Sequence, residues 1–327
     1  MASSKSSTPV AASRRVTSTA ESASAFAPPN SFRSLKSVVV PVDNSYVTHG
    51  KASRDNSVAI RQIFVDGSPV SYSTGGQGPT VLLLHGWGLG HHAYRPALEH
   101  LVAAGYHVVA PALPGFGGTS DLGEDRSFVG YSAWVRRFAL MLGLRNAIVV
   151  GHSFGGGVAI RLGVDDPQLV ARLVLCNSVG APWRRASGPN GTQVHAMSKR
   201  PIWSWGINIP SDMIALLSKA TEAMPSILED LVPNVVRHPL TITRVGHLAR
   251  NADLGSELNE LRRVGFPITV VHSERDGVIP RTSFECLSEA AGVTGHLLPG
   301  NHSWPLTDPA ALVSMVKVIP SRIRAAA

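Results

Sequence analysis

An α/β fold built on a doubly wound, mostly parallel sheet is what this sequence predicts, and three observations lead to it. Short, wholly apolar runs alternate with stretches of helical spacing from about residue 58 onward. The first such run, 80–85, stops sharply at Gly86, as a strand covered on both faces does. At 327 residues the chain is long for one domain and short for two large ones, which fits one α/β core carrying an insertion and a tail.

The elements follow in order. Residues 59–65 and 69–73 read as a hairpin turned at Asp66-Gly67. Residues 94–104 have helical spacing, 106–111 form an apolar run, and 131–142 are helical again. Residues 147–150 read as a strand, 154–162 as a helix, and the run 173–176 closes the first half. The strand 268–272, the helix 284–291, the strand 295–298 and the helix 309–318 resume the alternation, the pattern of βαβ units.

Between them, 182–239 breaks the pattern. It holds Trp183, Trp203 and Trp205, three methionines and several prolines, and reads as mixed loop and helix without a strand. An insertion placed after a sheet strand predicts a mainly helical cap over the site. Residues 1–57 are rich in Ser, Ala, Thr and Pro and cannot bury enough apolar surface to offset their ordering entropy, so they read as a disordered leader. The expected organisation is leader 1–57, core 58–181, cap 182–239 and core 240–327.

Composition narrows the function. Apolar residues make up 44% of the chain and charged residues 16%, enough for a sizeable core. No apolar run is long enough to span a bilayer, so no stable membrane insertion is expected. The net charge is +8, and the leader supplies half of it, with seven basic residues against three acidic ones. No Lys/Arg stripe interleaved with aromatics accompanies it, so a nucleic-acid partner is not expected. Cys176 and Cys286 read as buried thiols, compatible with a reducing compartment. The expected location is cytoplasmic, with an organelle as the alternative because the leader is Ser/Arg-rich and acid-poor. The sequence gives no expectation about oligomeric state.

The chemistry starts at Gly151-His152-Ser153-Phe154-Gly155, between a strand and a helix. The glycines permit a tight turn that lifts the Ser hydroxyl above the sheet, with free helix N–H groups behind it. A Ser hydroxyl needs a base, and the base an orienting acid. In a doubly wound sheet these belong at the carboxyl ends of strands. Ser273-Glu274-Arg275-Asp276-Gly277 follows one strand run, and Pro299-Gly300-Asn301-His302 follows another. Asp276 and His302 are the first choices. Glu274 is the competing acid, and His296, inside the preceding strand, the weaker alternative base.

On these residues the sequence resembles the α/β-hydrolase superfamily over roughly 58–327, apart from the insertion. His85-Gly86-Trp87-Gly88 resembles its oxyanion-strand motif, and Leu113-Pro114-Gly115-Phe116-Gly117 its loop after the next strand. Gly151 to Gly155 resembles the nucleophile elbow. Asp276-Gly277 with Ile279-Pro280, and then Gly300-Asn301-His302, resemble the acid and base loops. One departure is Ala112, where the family often has Asp; this puts loop support in doubt.

The resemblance implies that Ser153 attacks an acyl carbon, that His302 moves the proton, and that Asp276 holds the imidazole. It implies an oxyanion hole from the backbone N–H groups of Trp87 and Phe154. No cofactor or metal is implied. Pocket or packing roles fall to His85, Gly86, Gly88, His152 and Trp183, and His91 and His92 crowd the same region without a His-Glu-x-x-His zinc motif. A Ser at 153 differs from the Asp of dehalogenase and epoxide-hydrolase branches. His85-Gly86-Trp87-Gly88-Leu89 is similar to small methyl-ester carboxylesterases. The expected activity is hydrolysis of a small-molecule carboxylic ester. Thioester, lactone, amide or carbon–carbon cleavage, or a non-catalytic binding role, are the alternatives.

Overall fold

The computed structural model describes residues 57–186, 192–195, 229–230, 233–234, 236 and 239–319, with backbone alone at 183–186, 192–195 and 239. The expected disordered leader and most of the expected cap lie outside the described residues.

The described chain enters through a hairpin, in which β1 (Ala59–Val65) pairs antiparallel with β2 (Ser68–Gly75). Asp66 and Gly67 both take positive φ, 51° and 76°, the two-residue turn whose twist suits paired strands. Next come β3 (Thr80–Leu84), a 3₁₀ turn (His92–Tyr94), α1 (Arg95–Ala103) and β4 (His107–Pro111). Then come α2 (Phe128–Met141), β5 (Ala147–His152), α3 (Phe154–Asp165) and β6 (Val170–Cys176). Ser127 caps α2 by accepting from Val129 N–H, one turn earlier than the apolar spacing alone suggests.

A separate antiparallel pair, β7 (Trp183–Ala186) and β8 (Thr192–His195), precedes α4 (Pro239–Arg250) and α5 (Gly255–Arg263). The chain ends through β9 (Ile268–Ser273), α6 (Arg281–Ala291), β10 (His296–Leu298), α7 (Trp304–Thr307) and α8 (Pro309–Lys317). The expectation of no strand in 182–239 is therefore corrected by β7 and β8. The residues joining them in sequence, Ser187-Gly188-Pro189-Asn190-Gly191, are the types that turn a hairpin.

Eight strands form one sheet in the order β1-β2-β4-β3-β5-β6-β9-β10. Every pairing from β4 to β10 is parallel, and the β1–β2 and β2–β4 pairings are antiparallel. Strand side chains alternate between faces, and here both faces are cores. Leu82, Leu84, Val149 and Leu175 pack with Phe138 of α2, Val158 of α3, Leu258 of α5 and Leu287 of α6. Val81, Leu83, Val150 and Val174 pack on the other face with Leu98 and Leu101 of α1 and Leu312 of α8. Each such side chain stabilises the fold by about 1.5–3 kcal/mol relative to exposure. Among the described residues no helix is long and apolar enough to cross a membrane.

The strand order contains the reversal that positions a site. From β3 the chain goes to β4 on one side, then returns to β5 on the other side of β3. Loops leaving the carboxyl ends of β3 and β5 therefore part in opposite directions, which leaves a crevice between them.

Candidate active site

Ser153 occupies the turn from β5 to α3 with φ 52° and ψ −114°, a region that non-glycine residues rarely adopt. The flanking glycines make it possible. A Cβ on Gly151 would lie 2.6 Å from Gly155 O, and one on Gly155 would run into Leu84 O. Such strain costs roughly 1–3 kcal/mol and persists only where surroundings hold it. Here Ser153 N–H donates to Cys176 O at 3.0 Å, and Ser153 O accepts from Gly156 N–H at 3.0 Å and Val179 N–H at 3.2 Å. Phe154 begins α3, whose first-turn N–H groups have no intrahelical acceptor. Its ring is buried against Phe128 and Tyr131, so only its backbone is available for chemistry.

The loop after β3 lies against this elbow. A Cβ on Gly86 would be 3.5 Å from Ser153 Cβ and 3.1 Å from His152 Nδ1. His85 is wholly buried. Its Nδ1–H donates to Gly86 O at 2.8 Å, and its Nε2 accepts from Leu113 N–H at 2.9 Å. Burial, opposed by the Gly86 contact, pushes its pKa down to about 4, so the ring is neutral and staples the loops after β3 and β4. Of the pocket and packing roles expected for His85, its position is packing. Trp87 is 41% exposed, with its indole N–H donating to Ile242 O of α4 at 2.7 Å. Gly88 takes φ 78°. Trp183 opens β7, and its side chain lies outside the described residues. The Ala112 departure leaves its loop supported, because Thr119 Oγ1 donates to Ala112 O at 2.9 Å.

Asp276 and His302 come together from the loops after β9 and β10. His302 Nδ1 is 2.9 Å from Asp276 Oδ2, and the carboxylate is wholly buried. Its other oxygen accepts from Val278 N–H at 2.7 Å and Ile279 N–H at 2.8 Å. Burial raises the Asp276 pKa, but the charge and hydrogen bond of His302, with help from His272 and Ile279, outweigh it and hold the group below its ordinary value. An ionised carboxylate facing Nδ1 fixes that nitrogen as the donor and leaves Nε2 as the basic one. Glu274 is exposed, whereas His296 lies within β10, opposite Val271.

His152 links the elbow to the His302 loop. Its Nε2 is 2.9 Å from His302 O, its Nδ1 is 2.5 Å from Tyr94 Oη, and its ring centroid is 5.0 Å from that of His302. Burial first, then the neighbouring His302, pushes its pKa down to about 3. His91 has its two nitrogens on Ser73 Oγ (2.7 Å) and Ser71 Oγ (3.0 Å). His92 Nδ1 faces Asp230 at 3.5 Å.

Several residues here escaped sequence reading. Asp230 Oδ2 accepts from Gly90 N–H (2.9 Å) and Ala93 N–H (2.8 Å). Asn234 donates to Gly88 O (3.1 Å) and Leu89 O (3.2 Å) and accepts from Gly117 N–H (2.8 Å). The segment leading into α4 thus grips the loop after β3. Asn177 Nδ2 donates to His302 O at 3.2 Å and Ser273 Oγ at 2.8 Å. Asp230 and Asn234 stand four apart, a helical spacing, but polar residues at that spacing usually mark a solvated face. Nothing in one sequence separates the two cases.

Comparison with known proteins agrees with this fold. The family described as alpha/beta hydrolase fold matches residues 79–201. A pimeloyl-[acyl-carrier protein] methyl ester esterase of Aromatoleum aromaticum is 28% identical over 222 residues, covering 64% of this chain and 84% of that protein. The dihydrolipoyllysine-residue acetyltransferase component of the acetoin cleaving system of Cupriavidus necator is 31% identical over 245 residues, covering 73% of this chain and 63% of that protein. Among solved structures, an esterase from Exiguobacterium antarcticum superposes with a TM-score of 0.61 at 20% identity, over 80% of this chain and 99% of that one. With the sheet order, the strained Ser153 turn and these matches in agreement, the chain has the α/β-hydrolase fold.

Proposed function

We propose that the protein is a serine hydrolase that cleaves small-molecule carboxylic esters through Ser153, His302 and Asp276. The observation that carries this reading is the buried Asp276 carboxylate held 2.9 Å from His302 Nδ1, in a loop hydrogen-bonded to the neighbour of Ser153. In this reading Ser153 Oγ attacks the acyl carbon while His302 Nε2 takes its proton. Asp276 keeps the proton on Nδ1 and stabilises the imidazolium. The oxyanion is met by the N–H groups of Trp87 and Phe154, each worth roughly 100–1,000-fold in rate. His302 then protonates the leaving alcohol oxygen, and water repeats the sequence on the acyl-enzyme. In this reading the segment 182–239 sets the substrate range. The methyl ester esterase relative favours an ester over the other acyl bonds.

A fluorophosphonate probe tests the reading. Stoichiometric labelling of the wild type, abolished in Ser153→Ala, is expected, together with turnover of p-nitrophenyl esters. A folded protein that neither labels nor turns over any ester in a chain-length panel would instead be a ligand-binding member of the family.

A further inference from the structure

Tyr94 and His152 are buried, polar and unused by the proposed chemistry, yet they connect Gly86, the residue before Trp87, to the backbone of His302. Three hydrogen bonds join them, and each has only one possible direction. His302 O can only accept, so His152 Nε2 carries the proton at 2.9 Å. Burial keeps the imidazole neutral, so Nδ1 is an acceptor and Tyr94 O–H donates to it at 2.5 Å. The Tyr94 oxygen in turn accepts from Gly86 N–H at 3.0 Å. The chain runs Gly86 N–H, Tyr94 hydroxyl, His152 imidazole, His302 carbonyl, without a mismatched donor.

Both ends bear on reacting groups of the reading above. Gly86 is held on both of its peptides: Tyr94 takes its N–H, in the unit shared with His85, and His85 Nδ1 (2.8 Å) and Leu89 N–H (3.3 Å) take its carbonyl, in the unit shared with Trp87. A trans peptide is planar, with N–H opposed to C=O, so fixing Gly86 O aims the Trp87 N–H the other way. At the far end His152 shares the His302 carbonyl with Asn177 and so fixes the backbone from which the imidazole hangs.

We infer that Tyr94 and His152 are positioning residues that hold the Trp87 N–H and the His302 imidazole at a set separation on either side of Ser153. This rests on the proposed serine-hydrolase reading. The device aligns groups for the transition state, so its loss falls on kcat and leaves substrate binding in place.

The test uses the full chain, with p-nitrophenyl ester kinetics, fluorophosphonate labelling rates and thermal midpoints for each variant. Tyr94→Phe keeps the ring and removes the hydroxyl. It is expected to lower kcat and the labelling rate by roughly 10–100-fold with KM changed by less than about 2-fold, the scale of a small misplacement of reacting groups. His152→Gln carries an amide N–H to the Nε2 position, whereas His152→Asn reaches only the Nδ1 position. His152→Gln should therefore retain several-fold more kcat than His152→Asn. Wild-type kcat in Tyr94→Phe, equal losses in the Gln and Asn variants, or losses confined to KM would overturn the relay. Ser153→Ala separates the two ideas. Labelling that survives it removes the serine-hydrolase reading, and the relay with it. A dead Ser153→Ala beside a fully active Tyr94→Phe removes the relay alone.

Discussion

At residue scale, Asp276 carries more of the site than its single side chain suggests. Its carboxylate is satisfied by two backbone N–H groups and one imidazole, and an amide of the same shape keeps an oxygen for the two N–H groups. Asp276→Asn is accordingly expected to keep a near-native thermal midpoint while kcat falls by roughly 10³–10⁴-fold, because the amide no longer holds the required His302 tautomer. Glu274→Gln should stay near wild type, since Glu274 is exposed. The opposite outcome, with Glu274→Gln inactive, moves the acid by two residues. The Ser153 turn was legible because strain there demands glycine on both sides, a constraint written in residue types. Tyr94 was not legible in this way. A tyrosine at the start of a helix reads as core, and only the fold brings its hydroxyl to His152.

At the scale of elements, apolar runs located the strands of the parallel sheet, because a strand buried on both faces can carry little else. α5 was missed for the converse reason. Only Leu258 and Leu261 of its nine residues are buried, and its N-cap, Leu254, offers no side-chain acceptor. The polar grip of the segment before α4 was also invisible. Asn234 reaches the loops after β3 and β4 together, and Asn234→Ala would leave Gly117 N–H and the carbonyls of Gly88 and Leu89 without this partner. Leaving a buried group unpaired costs about 1–3 kcal/mol. A lower urea midpoint at unchanged slope is therefore expected, and an unchanged midpoint would show the grip to be dispensable for stability.

At the scale of the whole molecule, the histidines set a pH limit. His85, His91 and His152 are pushed down to about 4, 3 and 3, chiefly by burial. In the unfolded chain each returns to about 6.5. Above that pH neither state is protonated there and the three contribute no dependence. Below it the unfolded state binds protons that the folded state refuses, so stability falls as pH drops through 6.5 and keeps falling to about 4 for His85 and about 3 for His91 and His152. The loss should reach about 1–2 kcal/mol per histidine by pH 5. Urea midpoints measured at pH 7, 6 and 5 check this; a flat series would mean these rings accept protons inside the fold.

Both limbs that bound the least familiar stretch of the chain are fastened to the scaffold. Before it, Ala181 O accepts from Ser283 Oγ of α6 at 2.8 Å; after it, Asn234 is anchored beside Gly88. Closing a longer or shorter bridge between two fixed posts adds only about 0.6 kcal/mol per doubling of length. A change in the length of the chain between these posts therefore costs the scaffold little, and the loops after β3 and β4, already fastened to each other, keep their shape.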